Sequence, residues 1–250
     1  MRFFAAVTVL FYHVLAPDAG EGFLQGIGSS GKEAVTFFFI LSGFILTYVY
    51  SDESSDLKTS VRKFWGARFA RLSPAYVVGL VFGLPTFLYS VFFLHSISFE
   101  IFTLSLLLVP VFAQAWWPAT TFSWNVPAWS VSIEVFFYFL FPILGRTARA
   151  FGVVVFLIVS MLLLLLVFDI LRAAIWPTPD ASSDAWNIMY FPPFHLPYFI
   201  FGMALCRLFL FGPAFSQFLT RFLFPSSLIV SLGLLGFRAD LSSWVVHYPP

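Results

Sequence analysis

"NVPAWSVSIEVFFYFLFPILG", residues 125–145, reads as a membrane-crossing helix with one ionised side chain, Glu134, in its middle. A bilayer-spanning helix needs about 20 predominantly apolar residues, and this stretch supplies them. At helical spacing Ser130, Glu134 and Tyr138 fall at i, i+4 and i+8, within about 80° of one another around the axis. One face of an otherwise greasy segment is therefore polar. A carboxylate in hydrocarbon must pair with a cation, accept hydrogen bonds or stay protonated, which makes Glu134 a candidate site residue. A carboxylate that only bonds a helix neighbour is the plainer alternative. Trp129, above the stripe, fits a contact and an interfacial belt residue equally well.

The rest of the chain agrees with a membrane setting. Of 250 residues, 60% are hydrophobic, 21% aromatic and 10% charged, with a mean hydropathy of +0.92. Soluble domains carry roughly 25% charged residues. Apolar stretches recur at 34–50, 72–94, 126–145, 150–168 and 185–206, with 101–122 and 222–237 as further candidates and 3–16 as a short one. The expected fold is all-α, a polytopic, multi-pass transmembrane helix bundle of about seven or eight spans among membrane lipids. Counting crossings from the cytoplasmic segment 51–71 would put Arg146 and Arg149 outside, so either these two arginines are exceptions or one of the segments between 72 and 122 fails to span, Pro110, Pro118, Trp116 and Trp117 making 101–122 the better candidate for a re-entrant or interfacial piece. Arg2 ahead of 3–16 and "APDAG" behind it also permit a signal-peptide reading. A net charge of +1 offers no basic surface, so no nucleic acid is expected as a partner. The single cysteine, Cys206, excludes a disulfide framework, and four scattered histidines give no ligand set, so no metal is expected.

Two further groups of polar residues stand out. If 3–16 is helical, the step from Arg2 to His13 leaves them about 20° apart on one face and roughly 16 Å apart along the axis. A cation then sits at the membrane surface with a potential base at mid-depth; a His13 hydrogen-bonded to a neighbouring helix is the alternative. Residues 51–71 carry Lys58, Arg62, Lys63, Arg68 and Arg71, which places this segment on the cytoplasmic side. Within it, 60–72 reads as a juxtamembrane helix whose apolar side holds Val61, Phe64, Trp65, Phe69 and Leu72, with Arg68 in the middle of that side and Arg71 on its edge. Two guanidinium groups so placed can converge on one anion such as a phosphate; binding of anionic lipid by all four basic residues is the alternative. Glycines and Ser42 in "GKEAVTFFFILSGFIL", from Gly31, allow close helix approach.

These segments, in this order, resemble the acyltransferase family 3, membrane acyltransferases that decorate surface polysaccharides and similar acceptors. "RFFAAVTVLFYH" is similar to the family's Arg-x10-His signature, and "GKEAVTFFFILSGFIL" to its Gly-Val-x-x-Phe-Phe-x-Leu-Ser-Gly-Phe segment. "RFARLSPAY" looks like its Arg-x-x-Arg followed by proline, "WSVSIEVFFYFLFPIL" like its Trp-Ser-Leu-Ser-x-Glu segment, and "LPYFIFGMALCRL" like a late helix. Ala34, Thr36 and Tyr198 depart from the residues usual at their positions. The resemblance implies about ten spans in a complete member, against the smaller number counted here. Residues 1–250 are accordingly expected to form a single domain, incomplete at its C-terminus.

What the resemblance implies is transfer of an acyl group, most often acetyl, from cytoplasmic acyl-CoA to a hydroxyl of a carbohydrate or lipid-linked glycan. Acyl-CoA, in the commonest case acetyl-CoA, is then a co-substrate, and no resident cofactor is implied. Catalytic roles fall on His13, Arg2 and Glu134; Arg68 and Arg71 hold the CoA phosphates; Ser42, Trp129, Ser130 and Tyr138 line the acceptor pocket. Competing classes are a transporter or flippase for a lipid-linked sugar, with His13 and Glu134 as a proton relay, and an inactive fragment of the acyltransferase.

Overall fold

The computed structural model describes Val7 and residues 31–51, 57–175 and 190–211. The described residues are helical with no strand; one isolated bridge joins Ser51 to Leu57. The helices are α1 (Gly31–Tyr50), α2 (Val61–Phe92), α3 (Phe99–Leu108), α4 (Trp129–Ile175) and α5 (Leu196–Phe211). Among the described residues three stretches are long and apolar enough to cross a membrane: Val61–Phe92, Val126–Arg146 and Pro192–Leu210. Ala34–Tyr50 and Phe99–Leu108 are apolar but shorter. Apart from Val7, the candidate spans 3–16 and 222–237 lie outside the described residues.

Local chemistry explains where the helices begin. Ser60 caps α2 by accepting from the Lys63 amide, and Ser98 caps α3 by accepting from the Ile101 amide. The juxtamembrane helix expected at 60–72 and the span expected at 72–94 are one continuous helix of 32 residues. Pro74 and Pro85 sit inside it without ending it. At 1.5 Å per residue α2 is roughly 48 Å long, well beyond the ~30 Å hydrocarbon thickness, so its charged first turns extend past the apolar layer. The stretches 126–145 and 150–168, expected as separate spans, likewise share a single helix, α4. Arg146 therefore lies on a helix rather than in a connecting loop.

Between Val109 and Ala128, the stretch that holds Pro110 and Pro118, regular helix is interrupted. Helix α3 ends at Leu108 and gives way to short 3-10 turns at Gln114–Trp116, Pro118–Thr120 and Val126–Ala128. Non-helical backbone at membrane depth is tolerated only when its polar groups are satisfied within the protein. Buried side chains do this here. Tyr76 donates to the Val109 carbonyl at 2.6 Å, Gln114 Nε2 to the Ala128 carbonyl at 2.6 Å, and Thr120 Oγ1 to the Gln114 carbonyl at 2.9 Å. Trp124 Nε1 reaches the Leu80 carbonyl of α2 at 3.0 Å, one residue from Val81, whose carbonyl Pro85 leaves without a donor.

Aromatic contacts give the helix directions. Phe39 lies by His195 and Phe44 by Phe209, so α1 and α5 run parallel. Helix α4 runs the same way, with Trp129 by His195 and Phe137 stacked on Phe199 at 4.5 Å. Helix α2 opposes it: Phe64 packs on Phe141 while Tyr76 and Leu80 share a cluster with Ala128. The main core joins Phe39, Leu46, Phe64, Ile133, Phe137, Tyr138, Phe141, Phe199 and Met203.

Between α1 and α5 the packing is backbone on backbone. A Cβ on Gly43 would collide with the Phe199 carbonyl oxygen, and one on Gly202 with the Ile40 carbonyl oxygen. Lipid supplies no hydrophobic force between helices, so close approach at small residues provides the association. The close approach expected from the glycine-bearing first segment is thus found at Gly43. Gly202→Ala is expected to cost about 1–3 kcal/mol or more by forcing the helices apart. Thermal unfolding in detergent should show a lower midpoint; an unchanged Tm would mean the seam yields without penalty.

Candidate functional site

The site lies where α1, α2 and α4 meet, and it begins with Pro142. A proline in a helix lacks the N–H that would bond the carbonyl four residues back, which here belongs to Tyr138. Trp65 Nε1 of α2 donates to that carbonyl at 2.9 Å. The Tyr138 side chain is buried, and its hydroxyl donates to Glu134 Oε1 at 2.6 Å, one turn earlier on α4. The i, i+4 relation read from the sequence is thus a real contact.

Arg68, three residues after Trp65, is only 9% exposed. Burying a guanidinium requires partners. One is Tyr50 at the end of α1: an Arg68 terminal nitrogen donates to its hydroxyl, and the Arg68 Cζ lies 4.6 Å from its ring centroid. The tyrosine ring is held in turn by Phe64, edge-on at 5.0 Å, and Phe64 also contacts Tyr138. Arg68 Nε is buried without a hydrogen-bond partner. Arg71 is exposed. Tyr138 thus joins Glu134 on its own helix to Phe64 on the helix that carries Arg68 and Arg71. Four of the residues singled out in the sequence therefore share one neighbourhood.

The others are placed apart or not described. Trp129 stands at the start of α4, in a cluster with Phe39, Tyr190 and His195 at ring separations of 6.2, 4.6 and 5.8 Å. Burial raises the Tyr190 phenol above its ordinary value, so this hydroxyl stays protonated. Ser130 Oγ donates to the Pro127 carbonyl at 3.0 Å, and Ser42 is half-buried on α1. Arg2 and His13 lie outside the described residues. No metal-binding group of histidine, cysteine or carboxylates occurs among the described residues.

Sequence reasoning passed over Tyr50, Trp65 and Ser132. Ser132 is fully buried with its hydroxyl unpartnered. The available signal for Trp65 was Pro142, which announces a carbonyl in need of a donor.

Compared with known proteins, the chain matches the acyltransferase domain of the acyltransferase family 3 over residues 1–249. The chain belongs to this family. It is similar to acyltransferase MdmB of Streptomyces mycarofaciens, 32% identical over 166 residues, which are 60% of this chain and 38% of that protein. It is also similar to peptidoglycan O-acetyltransferase OatA of Listeria monocytogenes, 29% identical over 153 residues, 57% of this chain and 22% of that protein. The match thus spans well under half the length of either relative. No solved structure matches the chain. The Glu134–Tyr138 pair and Arg68 fall inside the family's domain, as do the apolar helices that make this a membrane protein.

Proposed function

We propose that this chain is a multi-pass O-acyltransferase of the cytoplasmic membrane, moving an acyl group, most simply acetyl, from acyl-CoA to a carbohydrate hydroxyl. The observation that carries the reading is Arg68: a guanidinium buried beside the Glu134–Tyr138 pair, in a chain of an acyltransferase family. The names of the two relatives supply the rest of the support, an acyltransferase in one and acetylation of peptidoglycan, a sugar polymer, in the other.

In this reading Arg68 and Arg71 bind the phosphates of the donor by charge-assisted hydrogen bonds. The acceptor oxygen attacks the thioester carbonyl carbon, a C–O bond forms, the C–S bond breaks, and the hydroxyl proton ends on the CoA thiolate. His13 takes that proton as general base, Arg2 completes the donor site, and Glu134 orients the base or binds acceptor hydroxyls. Ser42, Trp129, Ser130 and Tyr138 line the acceptor side, where an aromatic face rimmed with hydroxyls suits a sugar ring. The residues sit in a bundle of about seven or eight spans, the depth at which a cytoplasmic donor meets an acceptor from the membrane or beyond.

The test is calorimetric titration of the purified protein with acetyl-CoA, paired with release of free CoA thiol when a glycan acceptor is added. Saturable binding and acceptor-dependent thiol release are expected. Absence of both would overturn the reading and return the buried carboxylate to a transport role.

A further inference from the structure

We infer that Trp65 is a positioning residue for acyl transfer: its indole N–H, donated to the Tyr138 carbonyl that Pro142 leaves free, sets the Glu134–Tyr138 turn against the arginine helix. The inference rests on the acyltransferase reading and extends it to a residue outside the reacting groups.

Three observations converge on it. Pro142 is buried inside α4 and removes the one backbone donor that Tyr138 would otherwise use. An unsatisfied carbonyl in an apolar environment is costly, so this turn of helix settles where a donor meets it. Trp65 meets it at 2.9 Å from the neighbouring helix. Among the described residues this is the one hydrogen bond between α2 and α4 that holds the Tyr138 turn. The same residue Tyr138 turns its hydroxyl to Glu134, and Arg68 follows Trp65 by less than one helical turn. One cross-helix bond therefore ties the helix of the buried cation to the helix of the carboxylate. The Trp65 ring also packs on Phe139 at 5.3 Å, a contact that phenylalanine can keep. The chemistry thus lies in the N–H, and its loss can be separated from the loss of the ring.

The experiment compares the wild type with Trp65→Phe, Pro142→Ala and the double variant, each as the full chain in detergent. Both kcat and KM for acetyl-CoA are measured, alongside Tm. Trp65→Phe is expected to lower kcat about tenfold with little change in KM, since a small displacement of an aligned group is paid in turnover. Pro142→Ala restores a backbone donor to Tyr138, so the double variant should recover most of that kcat and part of the lost Tm. Wild-type kcat in Trp65→Phe would overturn the inference, as would a loss that Pro142→Ala does not relieve. A fall in Tm with kcat per folded molecule unchanged would make Trp65 a strut only and also overturn it. Coupling in Tm is readable without turnover: a chain that never transfers acyl groups yet shows the coupling fails as an acyltransferase and keeps the Trp65–Tyr138 bond as a strut only, which overturns the positioning role.

Discussion

Arg68→Ala is expected to weaken acetyl-CoA binding by about a hundredfold, and Arg71→Ala by several-fold only. The two arginines sit three residues apart and look alike in the sequence, but their surroundings differ. Arg68 is buried against Tyr50, where little solvent screens its charge; Arg71 is exposed, where water and salt screen it. A charge-assisted hydrogen bond in the first setting is worth far more than in the second. Calorimetric titration of each single variant checks this ranking. Equal losses would mean that burial does not distinguish them, and unchanged affinity in Arg68→Ala would remove it from the donor site.

A larger effect is expected from His13→Ala. A general base in the rate-limiting proton transfer contributes about a hundred- to ten-thousandfold, so turnover should fall by at least the lower figure. Donor binding should persist, because the proposed phosphate contacts, Arg68 and Arg71, are left intact. Insertion should also persist, since removing a polar group from a span makes the span more apolar. The decisive comparison is thiol release against acetyl-CoA affinity in the same preparation. Full transfer by His13→Ala would take the imidazole out of the mechanism; lost binding would place it in the donor site.

Helical periodicity explains what could be read from the chain alone. The repeat of 3.6 residues puts Ser130, Glu134 and Tyr138 on one face and sets Arg68 amid Phe64, Trp65 and Phe69, and those faces are observed. Periodicity is silent on partners. The meeting of Tyr50 with Arg68, and of Trp65 with the Tyr138 carbonyl, depends on how α1, α2 and α4 are set beside one another. It also misjudges continuity: 60–72 and 72–94 read as two segments, and 126–145 and 150–168 as two spans, yet helix runs through each junction. Tertiary packing overrides such local signals.

The contact of Gly43 and Gly202 bears on more than affinity between two helices. If α1 slid by one residue along α5, Ser42 or Phe44 would enter a gap that admits no side chain at all. The pair therefore has a single vertical setting, like a key cut at one height. Tyr50 stands seven residues beyond Gly43 on the same helix, about 10 Å along the axis. The seam thus works as a depth gauge, fixing the level at which a tyrosine hydroxyl waits for the buried arginine.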